Sequence, residues 1–417
     1  MKILILAHKM PYPPKDGGSY VTLSFAKALA ELGCEITLLA MNTYKRRFNI
    51  SDIPIELRQK INFHSVDVDT KIKLIPLLIN LFQKKSYHIW RYGSSKKFAE
   101  KLVNLLQSEK FDIVQLEGLY LSPYVELIRR HSKAKIVMRA HNVEYEILER
   151  YAEFEKSILK KFWLKIQAKR LKSYELGRLN LYDAVIPITE RDAQILKADK
   201  IPSIVIPAGF EIKDTEPNFE DVEFPSLFYI GALDWFPNQQ GVEWFLKNVW
   251  DKIYRRFPDL KFYIAGRNSD KWKFLRVNKF PNVEVVGEVE DSREFIKAKS
   301  IMVVPLFAGS GIRVKIIEAM SLGKAVISTS VGAEGIKYKD GENILIANTV
   351  DEFVKKISIC VEDKSFCFNL GKRAFELVND EYNIVNLVGE LKEFYESILL
   401  INKSNETNEA NIHRFIR

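Results

Sequence analysis

Cysteine is scarce in this chain: Cys34, Cys360 and Cys367 are the only three in 417 residues. An odd, widely spaced set forms neither a disulfide framework nor a metal-ligand pair, so a stapled secreted scaffold is excluded and a reducing compartment is expected. Long apolar runs are also missing. Nothing approaches the roughly 18 consecutive apolar residues of a membrane span. The opening run Ile3-Leu4-Ile5-Leu6-Ala7 is too short for a signal-peptide core and has no cleavage site behind it. It reads as a first strand, in a cytoplasmic protein that is soluble or peripheral to the membrane. No short-period repeat is present. No nucleic-acid reader module is visible either, so nucleic acid is not an expected partner.

Hydrophobic residues make up 47% of the chain, too many for a disordered protein. The length points to two domains or more. Formal net charge is +9, compatible with a phosphorylated ligand or an anionic membrane surface. Its distribution is more informative than its sum. Lys156, Lys160, Lys161, Lys165, Lys169, Arg170 and Lys172 crowd one helical segment, with Phe154, Phe162, Trp163, Leu164 and Ile166 among them. A basic amphipathic helix of this kind fits a membrane surface. The alternative is a long surface helix whose aromatics face the core.

Along the chain, short strands alternate with helices. Strands are expected at 2–7, 35–41, 62–68, 112–117, 135–140, 184–188 and 203–206. Helices are expected at 20–32, 98–108 and 190–198, with a long helical region over 143–180. The apolar stretch 72–82 reads as a broken helix, followed by Lys84-Lys85. Pro207-Ala208-Gly209 punctuates the chain, after which the alternation restarts with strands at 227–231, 261–265, 283–286, 301–305, 325–329 and 344–347. The predicted fold is α/β, two Rossmann-like doubly wound parallel-sheet domains facing a cleft, with ligands beyond the carboxyl ends of the strands. The expected domains are 1–208 and 209–400, with a polar, poorly ordered tail over 401–417.

The stretch 301–336 carries the strongest local chemistry. An apolar strand runs into Gly309-Ser310-Gly311, then into a helix with apolar residues at Ile312, Ile316, Ile317, Ala319 and Met320. A glycine turn feeding a helix offers free N–H groups to an anion, phosphate above all. Arg313 and Lys315 fall in the expected first turn, where cations oppose the helix dipole unless an anion sits between them. Glu318 lies further along, placed to accept hydrogen bonds from sugar hydroxyls. The plainer alternative is a βαβ unit whose Arg and Lys are solvated.

Several blocks in order resemble glycosyltransferase family 4. They include Pro13-Pro14-Lys15-Asp16-Gly17-Gly18, His141-Asn142-Val143-Glu144, Tyr229-Ile230-Gly231, Ile264-Ala265-Gly266-Arg267, Val286-Gly287-Glu288-Val289 and the stretch from Gly309 to Glu318. The resemblance implies the GT-B fold and retaining transfer. It also implies a nucleotide-sugar donor held mainly by the second domain, an acceptor held mainly by the first, and no bound metal or other cofactor. Many members make cell-envelope or surface polysaccharides, so a glycan or lipid-linked acceptor is implied. The usual first Glu of the family motif falls on Ser310, and the usual Arg after Gly231 falls on Ala232. The chain is similar instead to a branch with GSG-x-R-x-K-x-x-E, which leaves the phosphate charge to Arg313 and Lys315.

On this basis His141, Arg313 and Lys315 are the expected catalytic groups. His141 follows a strand end and has an ordinary pKa of ~6.5, suited to an acceptor hydroxyl; the alternative is a helix-capping histidine. Arg139 and Glu144 flank it. Gly17, Gly18, Gly231, Gly266, Gly287, Gly309, Ser310, Gly311, Ile312 and Glu318 are the expected donor-binding residues. Asp234 and Asn238 follow a strand end beside them. Asp67-Val68-Asp69 has the spacing of a metal-binding pair but ends a weak strand, so no metal site is expected there. Two other outcomes stay open: a nucleotide-sugar epimerase or phosphorylase of the same fold, and a non-catalytic nucleotide-sugar-binding scaffold.

Overall fold

The computed structural model describes residues 1–400 apart from 15, 45–46, 72, 74–76, 78, 81–85, 156, 199–200, 213–215 and 309–310. Gly309, Ser310, Lys84-Lys85, most of the 72–82 stretch and the 401–417 tail therefore lie outside the described residues.

The first unit, Met1–Gly209 with the chain from Ile384 onward, is built on a parallel sheet. Its strands are β1 (Lys2–Ala7), β2 (Glu35–Thr43), β3 (Ile61–Val68), β4 (Ile113–Glu117), β5 (Lys135–Ala140) and β6 (Ala184–Pro187). Their order is β3-β2-β1-β4-β5-β6, so the winding reverses between β1 and β4. Helices α1 (Gly17–Glu31), α2 (Ile55–Lys60), α3 (Tyr87–Gly93), α4 (Lys96–Ser108), α5 (Val125–His131), α6 (Glu144–Phe154), α7 (Ile158–Gly177) and α8 (Glu190–Ile195) connect them. The strands are continuous apolar runs because both sheet faces are covered; Ile3, Leu4, Ile5 and Leu6 have no exposed surface.

The second unit, Phe210–Asn383, repeats the scheme. Its strands are β7 (Ser226–Ile230), β8 (Lys261–Ala265), β9 (Val283–Gly287), β10 (Ile301–Val304), β11 (Ala325–Ser328) and β12 (Leu345–Ile346), in the order β12-β11-β10-β7-β8-β9. The reversal falls between β7 and β10. Helices α9 (Phe236–Phe245), α10 (Asp251–Arg256), α11 (Lys273–Val277), α12 (Ser292–Lys297), α13 (Val314–Met320), α14 (Val350–Glu362) and α15 (Lys364–Glu381) flank this sheet. Helix α14 carries a full capping box between Thr349 and Glu352. Among the described residues, no helix is long and apolar enough to cross a membrane.

Two expectations change and one is refined. The long helical region expected over 143–180 consists of two helices, α6 and α7, parted by Glu155 and Ser157, both with extended backbone. Residues 203–206 form no strand; Val185 and Ser203 share only an isolated bridge. The terminal helix α16 (Ile384–Leu400), expected in the second domain, belongs to the first unit. Its apolar face, including Leu387, Val388, Leu391, Phe394 and Ile398, is buried, and it packs on α1. Gly209 is the close approach that permits this: a Cβ there would lie 2.6 Å from Ile384 Cδ1.

Candidate functional site

Each unit has a candidate site at the carboxyl ends of its strands, next to the reversal in strand order, where a doubly wound sheet opens for ligands. In the first unit, His141 follows β5 and its Nε2 lies 2.5 Å from Glu117 Oε2, at the end of β4. Glu117 is buried and also accepts from Thr22 Oγ1 at 2.9 Å and from Gln115 Nε2. Burial alone would push this carboxyl up. The neighbouring imidazole, Arg139 and the hydrogen bonds outweigh it and hold the carboxyl down at about 2. An ionised, immobile carboxylate on Nε2 fixes the tautomer and leaves Nδ1 as the accepting nitrogen. His141 is therefore a histidine with a dedicated carboxylate partner, while the backbone of α6 is capped elsewhere: Glu175, from α7, accepts from the N–H groups of Glu144 and Tyr145 at 3.0 and 3.1 Å.

Arg139 is fully buried beside Glu117, its guanidinium 3.5 Å from the Phe25 ring centroid. Glu144 accepts from Tyr120 Oη at 2.7 Å, and burial raises its carboxyl. His8, after β1, lies 3.1 Å through Nδ1 from the Glu117 carbonyl and packs edge-on to the rings of Tyr92 and Tyr120. Burial, then the charge of Lys9, lowers it to about 3, so it is neutral at pH 7. Gly17 and Gly18 open α1 behind Asp16, which caps the helix by accepting from Ser19 N at 2.8 Å and pairs with Lys9 Nζ at 2.9 Å. A Cβ at Gly18 would stand 3.4 Å from Lys9 Nζ, an ordinary contact. Asp67 accepts from Asn42, and Asp69 pairs with Lys73.

The candidate site of the second unit gathers Gly231, Arg313 and Lys315. Lys315 Nζ donates to Tyr229 Oη at 2.8 Å and to Asn238 Oδ1 at 3.3 Å. Gly231 leaves space for this ammonium: a Cβ there would lie 2.9 Å from Tyr229 Oη and 3.1 Å from Lys315 Nζ. Burial, then the charge of Arg313, pulls Lys315 well below the usual lysine range. Arg313 is not in the first helical turn, as the spacing predicts, but is the residue before α13. It is 7% exposed, donates from Nη1 to Gly311 O at 2.8 Å, and lies 5.9 Å from the Trp235 ring centroid.

Three glycines hold the backbone here at positive φ. Gly266 has φ +116, and a Cβ on it would strike the Gly231 carbonyl oxygen at 2.3 Å. Gly311 has φ +76. Gly287, with φ +91, accepts from Gly266 N at 2.7 Å. Ile312 is buried. Glu318 accepts from Ser292 Oγ at 2.9 Å, and burial raises its carboxyl. Asp234 forms a two-point ion pair with Arg267, at 3.1 and 3.0 Å.

Glu117, Gln115, Tyr120, Glu175 and His8 were not singled out in the sequence. The signal for the first two was available: Gln115 and Glu117 stand at period two in a strand otherwise fully apolar, which calls for buried partners. Glu175 and Tyr120 carry no such local mark.

Two doubly wound parallel-sheet units in one chain match the fold of GT-B glycosyltransferase structures. A model described as Glycosyltransferase Family 4 matches residues 15–214, and one described as Glycosyl transferases group 1 matches residues 224–363. The chain belongs to this family of glycosyltransferases. It is 23% identical over 398 residues to an uncharacterized 44.6 kDa protein of the cps region of Klebsiella pneumoniae, covering 92% of this chain and 96% of that one. Among solved structures it resembles Anabaena HepE in complex with UDP and glucose, with TM-score 0.67, 15% identity, and 95% and 100% of the two chains covered. Sucrose-phosphate synthase from Thermosynechococcus elongatus gives TM-score 0.69 at 15% identity, covering 97% and 100%.

Proposed function

We propose that this chain transfers a hexosyl group, with retention and without a bound metal, from a uridine diphosphate sugar to a glycan or lipid-linked acceptor in envelope polysaccharide synthesis. The observation that carries the reading is the Lys315 seat: an ammonium drawn into the interior beside Gly231, with Arg313 next to it. Burial and the neighbouring Arg313 disfavour the charge on Lys315, and a diphosphate lying against it supplies the opposite charge. In a site that excludes water, one such oriented group is worth ~3 kcal/mol of barrier as the leaving group takes on charge. HepE has been solved with UDP and with UDP-glucose, which supports the nucleotide. The cps-region relative supports the envelope role. His141, with Glu117 behind it, is the group for the acceptor hydroxyl, because its Nδ1 is the accepting atom. Glu318 is the group for the ribose hydroxyls.

Peripheral contact with an anionic membrane belongs to the same proposal. Ile158, Leu159 and Phe162, at the start of α7, are 83%, 84% and 66% exposed, and Lys160 and Lys165 beside them are exposed too. Leu164 and Ala168, further along, face the core, so the exposed large apolar side chains of this helix gather at its start.

Donor-dependent release of UDP tests the transfer. Arg313→Ala and Glu318→Ala are expected to abolish release while circular dichroism stays that of the parent. Full release in both variants would overturn the site assignment.

A further inference from the structure

Glu117 is held at both carboxylate oxygens: Thr22 and His141 meet Oε2, and Gln115 Nε2 donates to Oε1. The other end of the Gln115 amide, Oε1, accepts from the hydroxyl of Tyr395. Tyr395 and Gln115 are fully buried, and Glu117 and Thr22 nearly so. Tyr395 lies on α16, 280 residues from Gln115 in the chain. We infer that Tyr395 is a positioning residue for His141, acting through Gln115 and Glu117.

The two ends of a side-chain amide have nearly the same shape and opposite hydrogen-bonding character. Sterically, Gln115 fits with either end toward Glu117. Only the NH2 end suits an ionised carboxylate; the other places two acceptor oxygens in contact. Glu117 sets the orientation, since an ionised carboxylate only accepts, and Tyr395 fastens the amide in it by donating to the oxygen at the far end. With Oε1 of Glu117 then fastened, the carboxylate does not rotate, and Oε2 stays on His141 Nε2. The imidazole Nδ1 is thereby fixed in direction. The other charged or titratable groups around the pair are Arg139 from β5, His8 and Lys9 after β1, and Glu144 at the start of α6. Among the described residues, Gln115 is the side chain that donates to Glu117 Oε1, and none of these groups takes its place.

This role rests on the proposed use of His141 in transfer, but its first readout does not require turnover. In full-length protein with 15N-labelled histidine, solvent exchange of the His141 Nε2–H is measured for the parent, Tyr395→Phe and Gln115→Met. Exchange is expected to quicken about tenfold in both variants, the effect of loosening one buried hydrogen bond. The kcat for transfer is expected to fall by a similar factor with donor KM unchanged. Leu400→Ser, on the same helix at a 59% exposed position, leaves both readouts as in the parent. Tyr395→Phe keeps the ring and its packing; if it does not fold, Gln115→Met opens the same chain at its middle link. Exchange within twofold of the parent in the folded variants overturns the inference. If the imidazole responds as expected but even the parent turns over no sugar nucleotide, the positioning role stands and the transferase reading of the site fails.

Discussion

Lys315 is where the candidate site of the second unit shows its chemistry most directly. Burial, then Arg313, disfavours its proton in the free protein. A bound diphosphate supplies the opposite charge and restores it, so binding takes up a proton at any pH between the free and bound pKa values. By the same linkage, affinity falls as pH rises through that window. Calorimetry of UDP binding in buffers of different ionisation enthalpy is expected to show this uptake, and Lys315→Met to remove it. Glu117 works in the other direction. Its carboxyl is held down at about 2, so its contribution to stability is complete above its ordinary value of 4.5 and is lost as pH falls toward 2. Lys315 and His141 were marked as candidates by the glycine turn before a helix, by a strand end and by the family resemblance. Their partners were not, because Tyr229, Asn238 and Glu117 reach them across the sheet rather than along the chain.

Helix α7 divides into two parts with different environments. Its start exposes Ile158, Leu159 and Phe162, whereas Leu164, Gln167, Ala168, Leu171 and Glu175 are buried. Exposed large apolar side chains next to lysines match the boundary of an anionic bilayer, where tails take the apolar groups and headgroups the cations. The full chain is expected to sediment with vesicles containing phosphatidylglycerol and not with pure phosphatidylcholine. The triple change Ile158→Ser, Leu159→Ser and Phe162→Ser is expected to remove most of the binding and leave the melting temperature nearly unchanged, since these positions already face water. The sequence showed the basic and aromatic residues of this segment but not the break before them. That break follows from the turn of the chain between α6 and α7. Glu175 then reaches back to cap α6, a long-range contact with no counterpart in local pattern.

For the whole molecule, α16 decides where the chain ends up. Its buried face belongs to the first unit although it follows the second in sequence. Each fully buried apolar side chain contributes roughly 1.5–3 kcal/mol. The buried face of α16 is thus comparable with the ~5–15 kcal/mol net stability of a typical domain. A chain ending at Asn383 is expected to lose the cooperative melting of the first unit, while Phe210–Asn383 expressed separately keeps its own transition; calorimetry of the two chains checks this. The sequence by itself determined the alternation of strands and helices, the two sheets and the glycines that turn the backbone. Each is a local matter: an apolar run buried on both faces, a helical period, or a positive φ. Only the tertiary structure decided that α16 returns to the first unit, that Glu117 stands behind His141, and that Tyr395 completes the chain of hydrogen bonds. Those contacts join residues tens to hundreds of positions apart, and packing, not local pattern, selects them.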